Sequence, residues 1–231
     1  IKDEAVIKAY NENPDTDFHE WVATQCKIKR KPAKTVNFST AFGAGEQNIV
    51  GQLAANSDII LEMTDVVNAK ILAGEISEDE RLKAFTELCW TRGKQIYRIY
   101  HDKLPTLKST ARKATDVARA RGYIFNLYGR RRHLPGKAAH VAFNTLCPGS
   151  AMDLIKRRMT LTAPRYNPDM VRAGITMRVN VHDAVLHHAD HETIVKWAPT
   201  IKEMLETPEP KLSVPIRWSS KIKRQRWEGE N

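Results

Sequence analysis

The apolar positions of this chain recur mostly with a helical period. Ile49, Val50 and Leu53 fall on one side of a three-to-four-residue repeat, so Glu46 to Ala55 is predicted as an amphipathic helix. Ile59 to Arg121 is strongly helical, with Leu82, Phe85, Leu88, Cys89 and Tyr97 carrying the period. Ser77-Glu78-Asp79-Glu80 starts a helix with acids where its dipole favours them. Leu104-Pro105 breaks the run, and Leu107 to Arg121 follows as another helix. Ala5 to Tyr10 is a short helical run. Asn11 to Asp15 has turn chemistry, and Thr16 or Asp17 can cap the helix beyond it. Thr193 to Leu205 is a final amphipathic helix.

Three stretches change period. From Gly122 to Pro135, two short β-prone runs flank Tyr128-Gly129, a hairpin-like turn. From Gly174 to His188, Ile175, Met177, Val179 and Val181 alternate with Thr176, Arg178 and Asn180, the period of a half-buried strand. Val185-Leu186 is apolar again, so the pair reads as a β-hairpin with His182-Asp183 at its tip. Leu212 to Trp218 reads as a last strand. His140 to Lys156 is a helix start and body. The class is α+β.

One helix carries candidate chemistry. Between Arg30 and Gly45, four residues fall at a constant spacing: Arg30, Lys34, Phe38 and Phe42. A step of four turns slightly past a full circle, so they form one drifting stripe. Pro32 sits near the helix start, and Gly43 and Gly45 end it. Two cations followed by two rings suit a ligand with an anionic end and a flat end, such as a nucleoside triphosphate. The same spacing also describes an ordinary amphipathic helix with a solvated edge.

Charge narrows the partners. Of 231 residues, 37 are Lys or Arg and 27 are Asp or Glu, a formal charge of +10 that favours a polyanion. Nucleic acid is the commonest, and an acidic membrane surface is the rival. No apolar run approaches the length of a spanning helix, and no basic-then-apolar leader opens the chain. Lys108, Arg112, Lys113, Arg119 and Arg121 give one helix a basic face, either solvated or against phosphates. Cys26, Cys89 and Cys147 are far apart, which favours a reduced compartment and no zinc site.

Taken in order, these motifs resemble the family A DNA polymerases, of the DNA polymerase I-like, phage type. Arg30-x3-Lys34-x3-Phe38-x3-Phe42-Gly43 looks like motif B, the fingers helix over the incoming nucleotide, with Phe42 where the family usually has Tyr. Asp17-x-His19 resembles an Asp-x-His that precedes it. The run Gly122-Tyr123 … Gly129-Arg130-Arg131 … Leu134-Pro135 has a family counterpart. His140 and Asn144 match phage-type residues of a palm helix, whereas Pro148 stands where Gln is usual. Val181-His182-Asp183-Ala184 resembles motif C, Val-His-Asp-Glu, with Ala184 replacing the Glu. His187, His188 and His191 match no family role and read as a strand end rather than a metal cluster.

The resemblance implies a mostly α-helical fingers subdomain over residues 1–121, then part of an antiparallel-sheet palm over 122–231 carrying the catalytic β-hairpin. It implies DNA-directed nucleotidyl transfer with two Mg2+ ions. Arg30 and Lys34 would bind the triphosphate. Phe38 would stack on the nucleotide and select against dideoxynucleotides, and Phe42-Gly43 would close the pocket. Arg130, Arg131, His140, Asn144 and His182 would hold DNA primer-template, and Asp183 would bind metal. Motif A, Asp-Tyr-Ser-x-x-Glu, is not in the sequence. A split polymerase is therefore expected: a second chain carries motif A, the thumb and the exonuclease, and shares the magnesium ions. This chain alone should then expose an uncovered apolar face. A cytoplasmic setting in a phage-infected bacterial cell is implied. A non-catalytic DNA-binding subunit derived from a polymerase, and an unrelated basic helical module, are the alternatives.

Overall fold

The computed structural model describes residues 3–163 and 165–223. Chain contacts divide it into two compact units. The first takes Thr16–Pro148 with the chain up to Glu4, and the second takes Ala5–Asp15 with the chain from Gly149. Helix α1 (Glu4–Glu12) opens the chain.

The first unit is a helical assembly. Asp17 caps α2 (Phe18–Cys26) by accepting from the backbone N–H groups of His19 and Glu20. The turn beyond it turns on Lys27, at φ 52°. Then come α3 (Arg30–Ala41), α4 (Glu46–Ala54) and α5 (Ser57–Leu72). Gly43, at φ 80°, closes α3. Gly45 does not end α3 as expected: it is the N-cap of α4. A capping box between Ser77 and Glu80 starts a single 3-10 turn, which leads into α6 (Arg81–Lys103). Pro105 is the first residue of α7 (Pro105–Arg121), where its missing N–H leaves no bond unmade.

Val22, Val36, Ile49, Leu53, Ile59, Ile96 and Tyr100 are fully buried and form the core of this unit. The apolar period of α6 reaches that core later than the sequence suggests. Leu82 is 76% exposed, Phe85 and Leu88 are half-buried, and burial begins at Cys89. The first turns of α6 face α5 across an open groove, where Leu82 and Phe85 lie opposite Thr64, Val67 and Asn68 without closing on them. Gly93 lets α4 and α6 close in: a Cβ there would sit 2.9 Å from the Val50 carbonyl oxygen.

Strands β1 (Tyr123–Phe125) and β2 (Arg131–His133) pair antiparallel, with Tyr123 opposite His133. Asn126 closes the turn by accepting from the N–H groups of Tyr128 and Arg130, and Gly129 takes φ 85°. Ile124 and Leu134 join Ala114, Ala118, Ala139 and Ala142 in a second core beneath the hairpin.

A 3-10 turn, Gly136–Val141, precedes α8 (Ala142–Thr162). Pro148 lies inside α8 and cannot donate to the Asn144 carbonyl four residues back. The division between the two units falls at this proline.

The second unit packs α9 (Pro168–Arg172), β3 (Thr176–Val181), β4 (Ala184–His188) and α10 (His191–Glu206). Its core is Met170, Ile175, Ile201 and Leu205, with Trp197 and Trp218 against it. The expected alternation along β3 is only partly realised. A register shift lies between Met177 and Val179, and Val179 is 44% exposed. The expected last strand, Leu212 to Trp218, does not form. Pro215 offers no donor, and side chains hold the segment instead: Arg217 bonds Asp15 and Glu206, and the Trp218 N–H donates to Glu206. Among the described residues the strands therefore form two separate two-stranded sheets. Of the basic tail Lys221 to Arg226, residues 224–226 lie outside the described residues.

Candidate nucleotide site and hairpin tip

The predicted stripe is a real surface of the first unit. Ala33, Val36, Asn37 and Thr40 bury one side of α3, and Arg30, Lys34, Phe38 and Phe42 are all exposed on the other. Phe38 is 45% and Phe42 54% exposed, large apolar areas for solvent to cover. Their ring centroids lie 6.2 Å apart at 22°, and the Lys34 ammonium sits 5.6 Å from the centre of the Phe38 ring. The start of α3 is tied to α5: Lys29 pairs with Asp58 at 3.2 Å, and Lys31 donates to the Ser57 hydroxyl at 2.8 Å.

Two polar contacts brace the stripe. Arg30 donates to Asp17, whose carboxyl is held below its ordinary value chiefly by that guanidinium. The Asn37 amide donates to Nδ1 of His19 at 2.8 Å, which puts the proton of the neutral ring on Nε2. Burial lowers the His19 pKa, and nearby Asp17 opposes that shift. The His19 ring lies 5.3 Å from Phe38. Two cations, two flat rings and an imidazole thus come together at one end of α2 and along α3.

The remaining sequence-predicted residues of this unit are distributed as follows. Gly43 is close to the segment that bears His140: a Cβ on Gly43 would meet the His140 carbonyl oxygen at 3.3 Å. His140 is exposed in the 3-10 turn and donates from Nδ1 to the Lys137 carbonyl. Asn144 is half-buried in the first turn of α8. Arg130 and Arg131 are exposed at and just beyond the β1–β2 turn.

In the second unit, His182 and Asp183 form the two-residue tip between Val181 and Ala184, which pair. Both tip residues are exposed. His182 takes φ 54°, a left-handed conformation that costs a side chain energy. Asn180 secures it: its amide donates to the carbonyls of His182 at 3.1 Å and Ala184 at 3.0 Å. His187 and His188 lie in β4, and His191 is the first residue of α10.

A sequence model of DNA polymerase family A matches residues 77–228. The chain belongs to DNA polymerase family A. It is 26% identical over 93% of its length to "DNA polymerase I, thermostable" of Thermus aquaticus. It is 27% identical over 92% of its length to "DNA polymerase DpoZ" of Salmonella phage PMBT28. It spans only 23% of the first relative and 33% of the second. The solved POL domain of Pol1 from M. smegmatis, in complex with DNA primer-template and dNTP, shares the fold. That likeness covers 92% of this chain and 34% of that one, with a TM-score of 0.64 and 23% identity.

Family membership raises the question of metal. Asp183 offers an exposed hard-oxygen ligand of the kind magnesium prefers. Among the described residues no group of three or more His, Cys, Asp or Glu could hold an ion. The described residues therefore do not by themselves make up a whole metal site. No helix among the described residues is long and apolar enough to cross a membrane. The cysteines are free, and burial pushes the Cys26 thiol up to about 11.

Sequence reasoning passed over three positioning groups: Asp17 as the partner of Arg30, Asn37 as the partner of His19, and Asn180 at the tip. Asp17 was visible as a cap and in the Asp17-x-His19 motif, not as the partner of Arg30. A buried Asn on the inner side of an amphipathic helix, as Asn37 is, was the available signal for the second.

Proposed function

We propose that this chain supplies the fingers, residues 1–121, and the C-terminal part of the palm, residues 122–231, of a template-directed DNA polymerase. The observation that carries the reading is the exposed Arg30–Lys34–Phe38–Phe42 stripe on α3 of a family A chain. Arg30 and Lys34 bind the triphosphate of the incoming nucleotide, Phe38 stacks on it and crowds the sugar 3′ position, and Phe42-Gly43 closes over the templating base. Arg130, Arg131, His140, Asn144 and His182 hold the primer-template. These groups position the primer hydroxyl and the α-phosphate, the main task of protein groups in phosphoryl transfer.

Asp183 would hold magnesium together with carboxylates supplied by other polymerase sequence, on the same polypeptide or a second chain. When bound, the ions lower the pKa of the primer 3′ hydroxyl and stabilise the leaving pyrophosphate. Ala184 favours a second reading, a non-catalytic DNA-binding or assembly part, because it removes a carboxylate from the tip.

Primer extension tests the proposal. This chain is combined with a polymerase segment bearing motif A, thumb and exonuclease, and supplied with Mg2+, primer-template and all four deoxynucleotides. Extension that is lost with Asp183→Asn supports the polymerase. A well-formed assembly that binds primer-template yet never extends it supports the second reading.

A further inference from the structure

The β1–β2 hairpin presents a surface that the nucleotide site does not use. Antiparallel pairing sets Tyr123 opposite His133 and Phe125 opposite Arg131. Alternation puts these four side chains on one face and turns Ile124 into the core beneath. Tyr123 is the hub. Its ring centroid lies 5.5 Å from that of Phe125 at 73° and 6.1 Å from that of His133 at 65°. The Arg131 guanidinium carbon stands 5.5 Å from the centre of the same ring. Phe125 is 47% exposed, and Arg131 and His133 are exposed beside it. The packing holds these rings in place and leaves Phe125 about half exposed, with Tyr123 partly exposed beside it.

The sequence around the hairpin carries one sign of charge. Residues 117–152 contain no Asp or Glu, while Arg121 and Arg132 flank the face in sequence. An aromatic platform inside a purely cationic stretch matches a ligand with flat rings on a polyanionic backbone. In a duplex those rings are stacked on each other; in a single strand they are free.

We propose that the β1–β2 face is a stacking platform for unpaired bases of single-stranded DNA. Phe125 and Tyr123 take the bases, Arg131 adds a guanidinium plane, and Arg121 neutralises a flanking phosphate. Use of the platform to hold template bases not yet paired rests on the polymerase reading; base stacking itself does not.

The test is fluorescence anisotropy with the full chain and two labelled probes, a short oligothymidylate and an abasic strand of the same length. The oligothymidylate should bind at least about fivefold more tightly, since stacking on an aromatic contributes that much per base. Phe125→Ala should remove most of this preference without changing the thermal melt, because Phe125 is not a core residue. Tyr123→Trp should keep it. Equal affinity for both probes, no binding of either, or a preference untouched by Phe125→Ala would overturn the proposal. A polymerase assembly that fails to extend primers while this chain keeps its base preference would sink the polymerase reading alone. Extension without any base preference would sink the platform alone.

Discussion

Arg30 reaches one oxygen of Asp17 with two donors, Nε at 2.9 Å and Nη2 at 2.6 Å. The same carboxylate caps α2, so a single side chain both starts one helix and restrains the first cation of the stripe on the next. Asparagine separates the two roles, because it caps as well as aspartate but carries no charge. Asp17→Asn should leave the unfolding midpoint nearly unchanged and free Arg30, tightening the binding of inorganic tripolyphosphate. Asp17→Ala should lose the cap as well and cost about 1 kcal/mol in a urea melt. The folded pKa of Asp17 is depressed, so its contribution is full above the ordinary 3.8 and is lost as pH falls through the lower folded value. Unchanged tripolyphosphate affinity in Asp17→Asn would show that the ion pair does not restrain Arg30.

Acid should act on the stripe at a higher pH, through His19. Its folded pKa lies below the ordinary 6.5 because it is buried. The unfolded state therefore binds more protons than the native state in that window, and stability must fall as pH drops below 6.5. Protonation also sets an N–H on Nδ1 against the Asn37 amide that donates to it. His101 and His187 are depressed by burial in the same direction and add to the slope. Urea midpoints at pH 7.5 and 5.5 should show this decline, and His19→Gln should flatten part of it. NMR of the imidazole nitrogens should place the neutral proton on Nε2, and an Nδ1–H signal would contradict the assigned bond.

Gly93 makes a packing prediction independent of function. Alanine improves helix propensity by about 1 kcal/mol, but its Cβ would stand 2.9 Å from the Val50 carbonyl oxygen and 3.3 Å from Val50 Cγ1. Backbone in a packed helix pair yields little, so the clash should win. Gly93→Ala should destabilise the first unit by about 1–2 kcal/mol net in denaturant melts. Gly43→Ala should cost a similar amount, about 1–2 kcal/mol, for a different reason: a left-handed φ of 80° that alanine resists.

Phe38 sets a prediction about substrate choice within the proposed function. Its ring lies between those of His19 and Phe42 and is about half exposed. In an assembled polymerase, Phe38→Tyr should raise the ratio of dideoxy to deoxy incorporation by about fivefold or more, on the order of one hydrogen bond. An unchanged ratio would remove Phe38 from the sugar 3′ position.

Local signals explain which features were legible. The α3 stripe, the Leu104-Pro105 break and both hairpins rest on periodicity and on proline or glycine, which act within a few residues. The helical first part and smaller antiparallel sheets follow from the same signals. Exposure of Leu82 and Val179 was not legible, because burial depends on what a distant segment covers. The segment Leu212 to Trp218 alternates like a strand, yet alternation does not supply a partner, and Glu206 offered a competing acceptor. The Arg30–Asp17 and Asn37–His19 contacts link residues 13 and 18 apart, beyond any local rule.

The hairpin tip gives the last prediction, because its geometry rests on a residue with no proposed contact to DNA or metal. His182 sits at φ 54°, where a β-carbon is crowded, so the turn needs an outside restraint. Asn180 supplies two bonds to it, reaching the carbonyls on either side of Asp183. Losing them leaves Val181 and Ala184 paired but lets the carboxylate between them wander. Asn180→Ala should therefore change the tip far more than the fold. Its thermal midpoint should stay close to that of the unaltered chain, whereas amide exchange at His182, Asp183 and Ala184 should quicken. In an assembled polymerase, extension should fall with a shift toward higher magnesium requirement, since a mobile ligand binds a cation less tightly than a fixed one. His182→Gly should relieve the strain and partly restore order in the Asn180→Ala background. A double variant no better ordered than Asn180→Ala alone would mean that the left-handed turn is not what Asn180 holds in place.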